Sequence, residues 1–210
     1  MSCITRWAAR RYGGMAALYE RFTEPMERAG LTAIRARLAA DLRGRILEVG
    51  CGTGLNFVHY PPAVEVTAIE PLEEFRTVAA ERAKHAQARI TVQDGDAQAL
   101  PFADASFDGA LQTLVFCSVP DEAQGLLELR RVLRPGAPVR FFEHVRSARV
   151  VGAAVQDIFN PLWRWAMDGC NINRDTVRTI ERCGFQIDEV QVHDMPGASI
   201  FPMRLVRAHV

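Results

Sequence analysis

The chain has 210 residues, 49% hydrophobic and 24% charged, the balance of an ordinary globular protein with one sizeable α/β core. Its 25 basic and 25 acidic residues cancel to a formal net charge of zero, so the electrostatic footprint of a nucleic-acid partner is missing. The longest apolar run, around Leu114 to Val119, falls far short of the roughly 20 residues of a spanning helix.

Residues 1–44 read as a helical cap lying against the sheet or over the site. From residue 45 strand and helix signals alternate. Strand one is Arg45 to Val49, and its helix starts at about Asn56. Strand two covers residues 64–69 and closes on Glu70-Pro71; a helix follows from Leu72 to about His85. Strand three is Ile90 to Gln93 and strand four is Phe107 to Gln112. Asp121 reads as the N-cap of a helix running through Leu133, which the Arg134-Pro135-Gly136 turn ends. Strand five is Pro138 to Phe142. Residues 144–183 form a helical insertion, with Asn160-Pro161 expected to break the helix because the residue before proline avoids the α region. Its apolar set (Val155, Ile158, Phe159, Leu162, Ala166) is expected to cover an acceptor pocket. Residues 186–193 and 199–206 close the sheet as an antiparallel pair. The expected architecture is a single α/β domain over residues 1–210. Its Rossmann-like, seven-stranded, mostly parallel sheet carries helices on both faces. The core would span residues 45–143 and the closing strands residues 184–210.

The most informative stretch is RILEVGCGTGLNFVHY, from Arg45 to Tyr60. Gly50, Gly52 and Gly54 make a turn suited to residues without a Cβ, with backbone N–H groups left free for a ligand. Twenty residues after Gly50 stands Glu70, an acid placed to grip a ribose diol. The spacing argues against a dinucleotide, whose sites set the third glycine three residues after the second. Here it comes after two, and the Glu48 carboxylate beside the loop would repel a pyrophosphate. A ligand with a ribose and a positive charge fits better, and S-adenosylmethionine has both.

Taken in order, EVGCGTG, Glu70, GDAQALPF, FDGALQTLVF and ELRRVLRPG resemble the class I S-adenosylmethionine-dependent methyltransferases over roughly residues 40–145. That resemblance implies a cofactor set of Glu48, Gly50, Cys51, Gly52, Gly54, Asn56, Glu70, Pro71, Asp96, Ala97, Thr113 and Leu114. Within it, Glu48 and the glycines would border the methionine moiety, with Thr113 near it. Glu70 would hold the ribose hydroxyls, Asp96 the adenine amino group and Ala97 the adenine ring. A narrower resemblance runs through Asn56-Phe57, Tyr60-Pro61-Pro62, LVFCSV (114–119), Glu143-His144-Val145 and DGCNINRD (168–175). These segments are similar to the methyltransferase-like thiol S-methyltransferases of animals and their small bacterial relatives. The hydrophobic N-terminal anchor of the membrane-bound members is missing here.

Methyl transfer from a sulfonium needs an electron-rich acceptor aligned in line and shielded from water. A thiol already has a useful thiolate fraction at neutral pH, whereas a phenol or alcohol needs a positioned base. The acceptor-side candidates are His144, Asp168, Cys170 and Asn171, of which His144 and Asp168 stand as catalytic groups on a small-molecule acceptor; Cys117 and Cys170 read as buried packing with no catalytic role. Three readings of the Phe159 to Met167 stretch stay open: core packing, a pocket wall, and a peripheral membrane contact through Trp163 and Trp165. A lipid headgroup amine or quinone-like phenol is the alternative acceptor, and a non-catalytic binding module the alternative class. Five cysteines with no CxxC pair point to reduced thiols in a cytoplasm and to no metal site. The sequence assigns no oligomeric state.

Overall fold

The computed structural model describes residues 14–167, 169–194 and 201–210. Two helices lead in: α1 (Met15–Met26), a π-helical turn (Glu27–Leu31) kinked at Gly30, and α2 (Thr32–Ala39). Then come β1 (Arg45–Val49), β2 (Glu65–Ile69), α3 (Glu73–Ala83), β3 (Arg89–Gln93), β4 (Gly109–Thr113), α4 (Glu122–Val132) and β5 (Pro138–His144). The chain closes through α5 (Val150–Ala166), α6 (Thr176–Arg182), β6 (Gln186–Asp194) and β7 (Pro202–His209).

The strands lie in the order β3-β2-β1-β4-β5-β7-β6. The first five are parallel, and β7 runs antiparallel between β5 and β6. Period-two alternation divides the core between the two faces. Leu47, Val49, Ala110 and Phe141 meet Leu126 and Leu129 of α4 and Ile180 of α6. Ile46, Val66, Leu111 and Phe142 meet Leu38 and Ala39 of α2 and Ala79 of α3. This is the expected Rossmann-like sheet, and its order reverses between β1 and β4, the place where open α/β sheets bind ligands.

Several local expectations change. No α-helix follows β1; a single 3-10 turn (Phe57–His59) stands where a helix from Asn56 was expected. Only six residues separate Gly54 from Pro61, and Tyr60, preceding a proline, is extended at ψ 136. Strand four starts at Gly109 rather than Phe107, which makes only an isolated bridge to Leu133. Strand five runs on to His144, because β7 pairs with it as far as His144↔Met203. The last strand is Pro202–His209, three residues past the expected end at 206, with proline in the first position, where no ladder donor is lost; residues 199 and 200 of the expected strand lie outside the described residues.

The insertion helix is continuous through Asn160-Pro161. A proline inside a helix costs about 3 kcal/mol, and tertiary anchors in the turn before Pro161 offset it. Gln156 is buried, accepts from Ser147 N–H, and donates to the carbonyls of Val145 and Ile172. Asn160 accepts from Ile172 N–H at 2.9 Å and donates to Asn171 at 3.2 Å. The apolar set of this helix is also divided. Phe159 packs inward with Trp163, whereas Val155, Ile158 and Leu162 face outward.

On the α2 side of the sheet a polar network joins four elements. Arg35 lies on the helical stripe Leu31, Arg35, Leu38, Leu42, all buried. Its Nη1 donates to Asn56 Oδ1 at 2.9 Å and to Thr113 Oγ1 at 3.2 Å. Asn56 Nδ2 donates to Thr113 Oγ1 and to Glu48 Oε1, and Tyr60 O–H donates to Glu48 Oε2 at 2.7 Å. Desolvation outweighs these donors and pushes the Glu48 carboxyl up to about 7.

That shift sets a pH dependence of stability. Between the unfolded carboxylate value of about 4.3 and the folded value the native state holds a proton that the unfolded chain has released. Stability should therefore fall as pH rises from about 4.3 to about 7. In denaturant titrations, Glu48→Gln should remove that segment of the decline relative to the parent chain. Parallel pH profiles of the two proteins would refute it.

Candidate functional site

The C-terminal ends of β1, β2 and β4 converge where the strand order reverses. Gly50, Gly52 and Gly54 take φ values of 62°, 57° and 81°, the left-handed region that glycine enters without a Cβ penalty. The positions differ in what surrounds them. A Cβ at Gly50 would sit 2.7 Å from Val115, so that glycine serves close packing against the turn after β4. A Cβ at Gly52 would meet nothing nearer than 3.9 Å, so the main chain there is open to an approaching ligand.

Glu70 follows β2 and bridges two backbone donors. Its Oε2 accepts from Gly52 N–H and its Oε1 from Leu72 N–H, both at 3.0 Å. Burial raises its pKa, while those two N–H groups oppose the shift. The carboxylate is thus fixed beside the open glycine with lone pairs to spare for a diol. Pro71 and Asp96 are exposed at the rim, and Asp96 Oδ1 accepts from Gln98 N–H at 2.9 Å. Ala97 and Cys51 are buried. Burial drives the Cys51 thiol far above its usual range, so it serves as packing.

Glu48 and Asn56 lie one layer below this surface, in the Arg35 network, so Glu48 shapes the loop from beneath. Helix α1 covers it from above. Ala16 N–H donates to Glu74 at 2.9 Å. Arg82 reaches Glu20 of α1 with one nitrogen and Thr53 of the glycine turn with the other. Tyr19 packs on Phe75 with ring centroids 5.5 Å apart. Burial raises its hydroxyl pKa, and Arg35, Glu27, Cys117 and Glu70 all act on it electrostatically. Sequence reasoning missed Tyr19 and Arg35. Arg35 carried a signal, a charge at an apolar-stripe position, whereas Tyr19 carried none. The groove of about 370 Å³ along α1, lined by Glu20, Arg21, Thr23, Glu24, Glu27 and Leu55, meets the glycine turn only at Leu55.

Past β4 the chain makes a strained turn. Leu114 takes φ 59°, rare for a residue with a Cβ and common at functional sites. Its N–H donates to Phe142 O at 2.7 Å. Glu143 Oε1 accepts from the N–H groups of Val115 and Phe116, both at 3.0 Å. The insertion is sewn to this turn: Asn171 donates twice to Cys117 O, and Arg174 donates to Phe116 O and Val119 O. Thr113, its side chain held by Asn56 and Arg35, faces the α2 side instead. His144 ends β5 and faces Cys170. Asp168, the other expected catalytic residue, lies outside the described residues, as does Cys3.

Cys117 and Cys170 form a buried sulfur pair, Sγ to Sγ 3.5 Å, wrapped by Ile172, Phe159, Trp163, Met167 and Phe201. With both thiols neutral, Cys170 donates to Cys117. When one proton leaves, it leaves Cys170: a hydrogen bond from Cys117 and the neighbouring His144 lower its pKa, while Cys117 is pushed up. No disulfide joins the described cysteines.

Comparison with known proteins places this site in a family. A methyltransferase-domain family model matches residues 47–141. Human thiol S-methyltransferase TMT1B is 36% identical over 190 residues, 87% of this chain and 77% of that protein. Human thiol S-methyltransferase TMT1A is 36% identical over 169 residues, 79% and 68% of the respective chains. Among solved structures, an S-adenosylmethionine-dependent methyltransferase from Mesorhizobium loti superposes with a TM-score of 0.65 at 21% identity, over 87% of this chain and 98% of that one. The [4+2]-cyclase SpnF superposes with a TM-score of 0.66 at 19% identity, over 86% and 80%. The described residues fit S-adenosylmethionine through the open face of Gly52 and the Glu70 carboxylate fixed beside it. The chain belongs to the class I S-adenosylmethionine-dependent methyltransferases, in the family of thiol S-methyltransferases TMT1A and TMT1B.

Proposed function

We propose that this methyltransferase acts on a small-molecule thiol and works in the cytoplasm. One observation carries the thiol reading. The 190-residue similarity to a thiol S-methyltransferase extends well beyond the cofactor-binding stretch at residues 47–141. A zero net charge supports a small acceptor over nucleic acid, and the free described cysteines support a reducing compartment.

When bound, S-adenosylmethionine supplies an electrophilic methyl group. Glu70 accepts the ribose hydroxyls from its fixed position beside Gly52, and Asp96 with Ala97 receives the adenine. Glu48, Asn56 and Arg35 hold the glycine loop and Thr113 in place from below, so the cradle exists before the ligand arrives. Tyr19 and α1 close over the site and exclude water. The turn at residues 114–117, fixed by Glu143, forms the wall against which the acceptor lies, with His144 at its far side. Alignment and exclusion of water are the protein's main contribution, because held reactants gain several kcal/mol from proximity. A thiol with pKa near 8.5 is already a few per cent thiolate at neutral pH, so it needs no strong base.

A second reading has its own support. Demethylmenaquinone methyltransferase of Deinococcus radiodurans is 32% identical over 133 residues, 62% of this chain and 55% of that protein. A quinone-like phenol is therefore the competing acceptor, and it would need a base.

Two outcomes are expected. Labelled methyl offered with panels of thiols, phenols and amines should appear on thiols, with a rate that rises with pH as the acceptor sulfur loses its proton. Label on phenols or amines alone would overturn the thiol reading. Glu70→Ala should weaken S-adenosylmethionine binding by at least ~10-fold, since it removes charge-assisted hydrogen bonds of about 1.5–3 kcal/mol each. Unchanged calorimetric affinity in a folded variant would remove Glu70 from the site.

A further inference from the structure

Cys117, His144 and Cys170 come from the turn after β4, the end of β5 and the loop after α5. One ligand atom from each lies within 4.8 Å of the other two. Residue spacing along the chain gave no hint of this, because no two of them form a CxxC or CxxxH pair. Each is held by groups outside the cluster. The Cys117 turn hangs on Glu143, His144 is fixed by the β5–β7 ladder, and the stretch after Cys170 is tied to the Cys117 carbonyl by Asn171. Around them Phe159, Trp163, Met167 and Phe201 form an apolar shell, with Trp163 and Phe201 ring centroids 4.6 Å apart.

Inside that shell polar atoms lack partners. Among the described residues His144 Nδ1 and Trp163 Nε1 are buried with no well-formed hydrogen bond, and both rings stand against the Cys170 thiol. Leaving such atoms unpaired costs roughly 1–3 kcal/mol each, and cores rarely tolerate it without a reason. Trp163 lies beside Cys170, off hydrogen-bond geometry. A cluster that needed only packing would be better served by apolar side chains.

We propose that Cys117, His144 and Cys170 bind a zinc-class cation, whose fourth position takes the sulfur of the acceptor. Two thiolates and one imidazole are donors that zinc accepts, at about 2.3 Å and 2.0–2.1 Å, which sets tetrahedral donor atoms roughly 3.5–3.8 Å apart. The 3.5 Å sulfur separation lies about 0.3 Å inside the sulfur–sulfur edge, so a small opening of the pair would seat the cation. Three protein donors with one exchangeable position is the arrangement of catalytic zinc sites, and a dry apolar shell tunes such a site. His144 is then a ligand in place of a general base.

The assignment of the fourth position rests on the thiol reading above. The acceptor thiol releases its proton to solvent as its sulfur bonds the cation. That sulfur then attacks the methyl carbon: a carbon–sulfur bond forms to the acceptor as the bond to the donor sulfonium breaks. The products are a thioether and S-adenosylhomocysteine. The electron pair of the broken bond stays on the donor sulfur, and the cation keeps its oxidation state.

The test is an anaerobic titration of the reduced, chelator-stripped full chain with Co²⁺. One equivalent should give the intense visible bands of tetrahedral thiolate-bound cobalt, and Zn²⁺ should displace it. Cys117→Ser, Cys170→Ser and His144→Gln should each weaken binding by at least ~10-fold, while S-adenosylhomocysteine affinity stays at the parent value and reports an intact fold. No such bands, or bands persisting in all three variants, would overturn the site. X-ray absorption of the zinc-loaded parent chain reads the donors without any substitution. It should find two sulfurs at about 2.3 Å and one nitrogen at about 2.0 Å, and a shell lacking sulfur would overturn the assignment. Benzyl mercaptan added with S-adenosylhomocysteine should then shift the cobalt bands. A mercaptan that is methylated yet leaves them unmoved would overturn the fourth-position step. Cobalt bound with no thiol methylated would overturn the thiol reading and that step together, and would leave the three-ligand site standing.

Discussion

The buried Glu143 carboxyl at the end of β5 is the interaction on which the turn at residues 114–117 and the insertion packed on it depend. A carboxyl taken out of water is driven toward its neutral form, and here burial pushes Glu143 up to about 8 despite the N–H groups of Phe116 and Val115. Those same N–H groups belong to a turn that would not hold by itself. Leu114 occupies the left-handed region at φ 59°, which costs of order 1–3 kcal/mol for a residue with a Cβ. Glu143 makes the turn possible, and the turn gives Glu143 its donors. From that joint follow the position of Cys117, the carbonyls that receive Asn171 and Arg174, and so the seat of the whole insertion.

Glu70 plays the matching part on the cofactor side, with a different balance. It is bound to Gly52 and Leu72 N–H groups beside the uncrowded Cβ position of Gly52, with a lone pair left on each oxygen. Glu48, by contrast, has both oxygens satisfied by Asn56 and Tyr60 and is closed off. Two acids that look alike in the sequence therefore divide the labour. In the proposed site one meets the cofactor, and the other stiffens the loop beneath it through Arg35, which ties α2 to the strand ends.

The half of the molecule that repeats a local pattern was legible in the sequence. The glycine turn, Glu70, Asp96 and the Asp121 cap each announce themselves within a few residues, and the structure shows the Asp121 cap accepting from Gln124 N–H. What escaped was set by contacts far apart in the chain. Pro161 reads locally as a helix break, yet Gln156 and Asn160 hold the helix together through residues 145–147 and 171–172. Strand five gains its last residues from a partner about 60 positions later, and the Cys117–His144–Cys170 cluster draws on three segments. The helix expected after β1 failed for a local reason that was present in the sequence, the prolines at Pro61 and Pro62.

Fold alone would not assign the chemistry, since a [4+2]-cyclase shares it at a TM-score of 0.66. The assignment rests on the similarity to thiol S-methyltransferase TMT1B, and the proposed site on a cofactor cradle and an acceptor wall meeting where the strand order reverses between β1 and β4. A crystal structure of the chain with S-adenosylhomocysteine examines that meeting most directly. The ribose hydroxyls should lie within hydrogen-bond distance of Glu70, with the ligand passing over Gly52 and its sulfur directed toward the turn at residues 114–117. A ligand bound elsewhere, or one whose sulfur faces away from that turn, would contradict it.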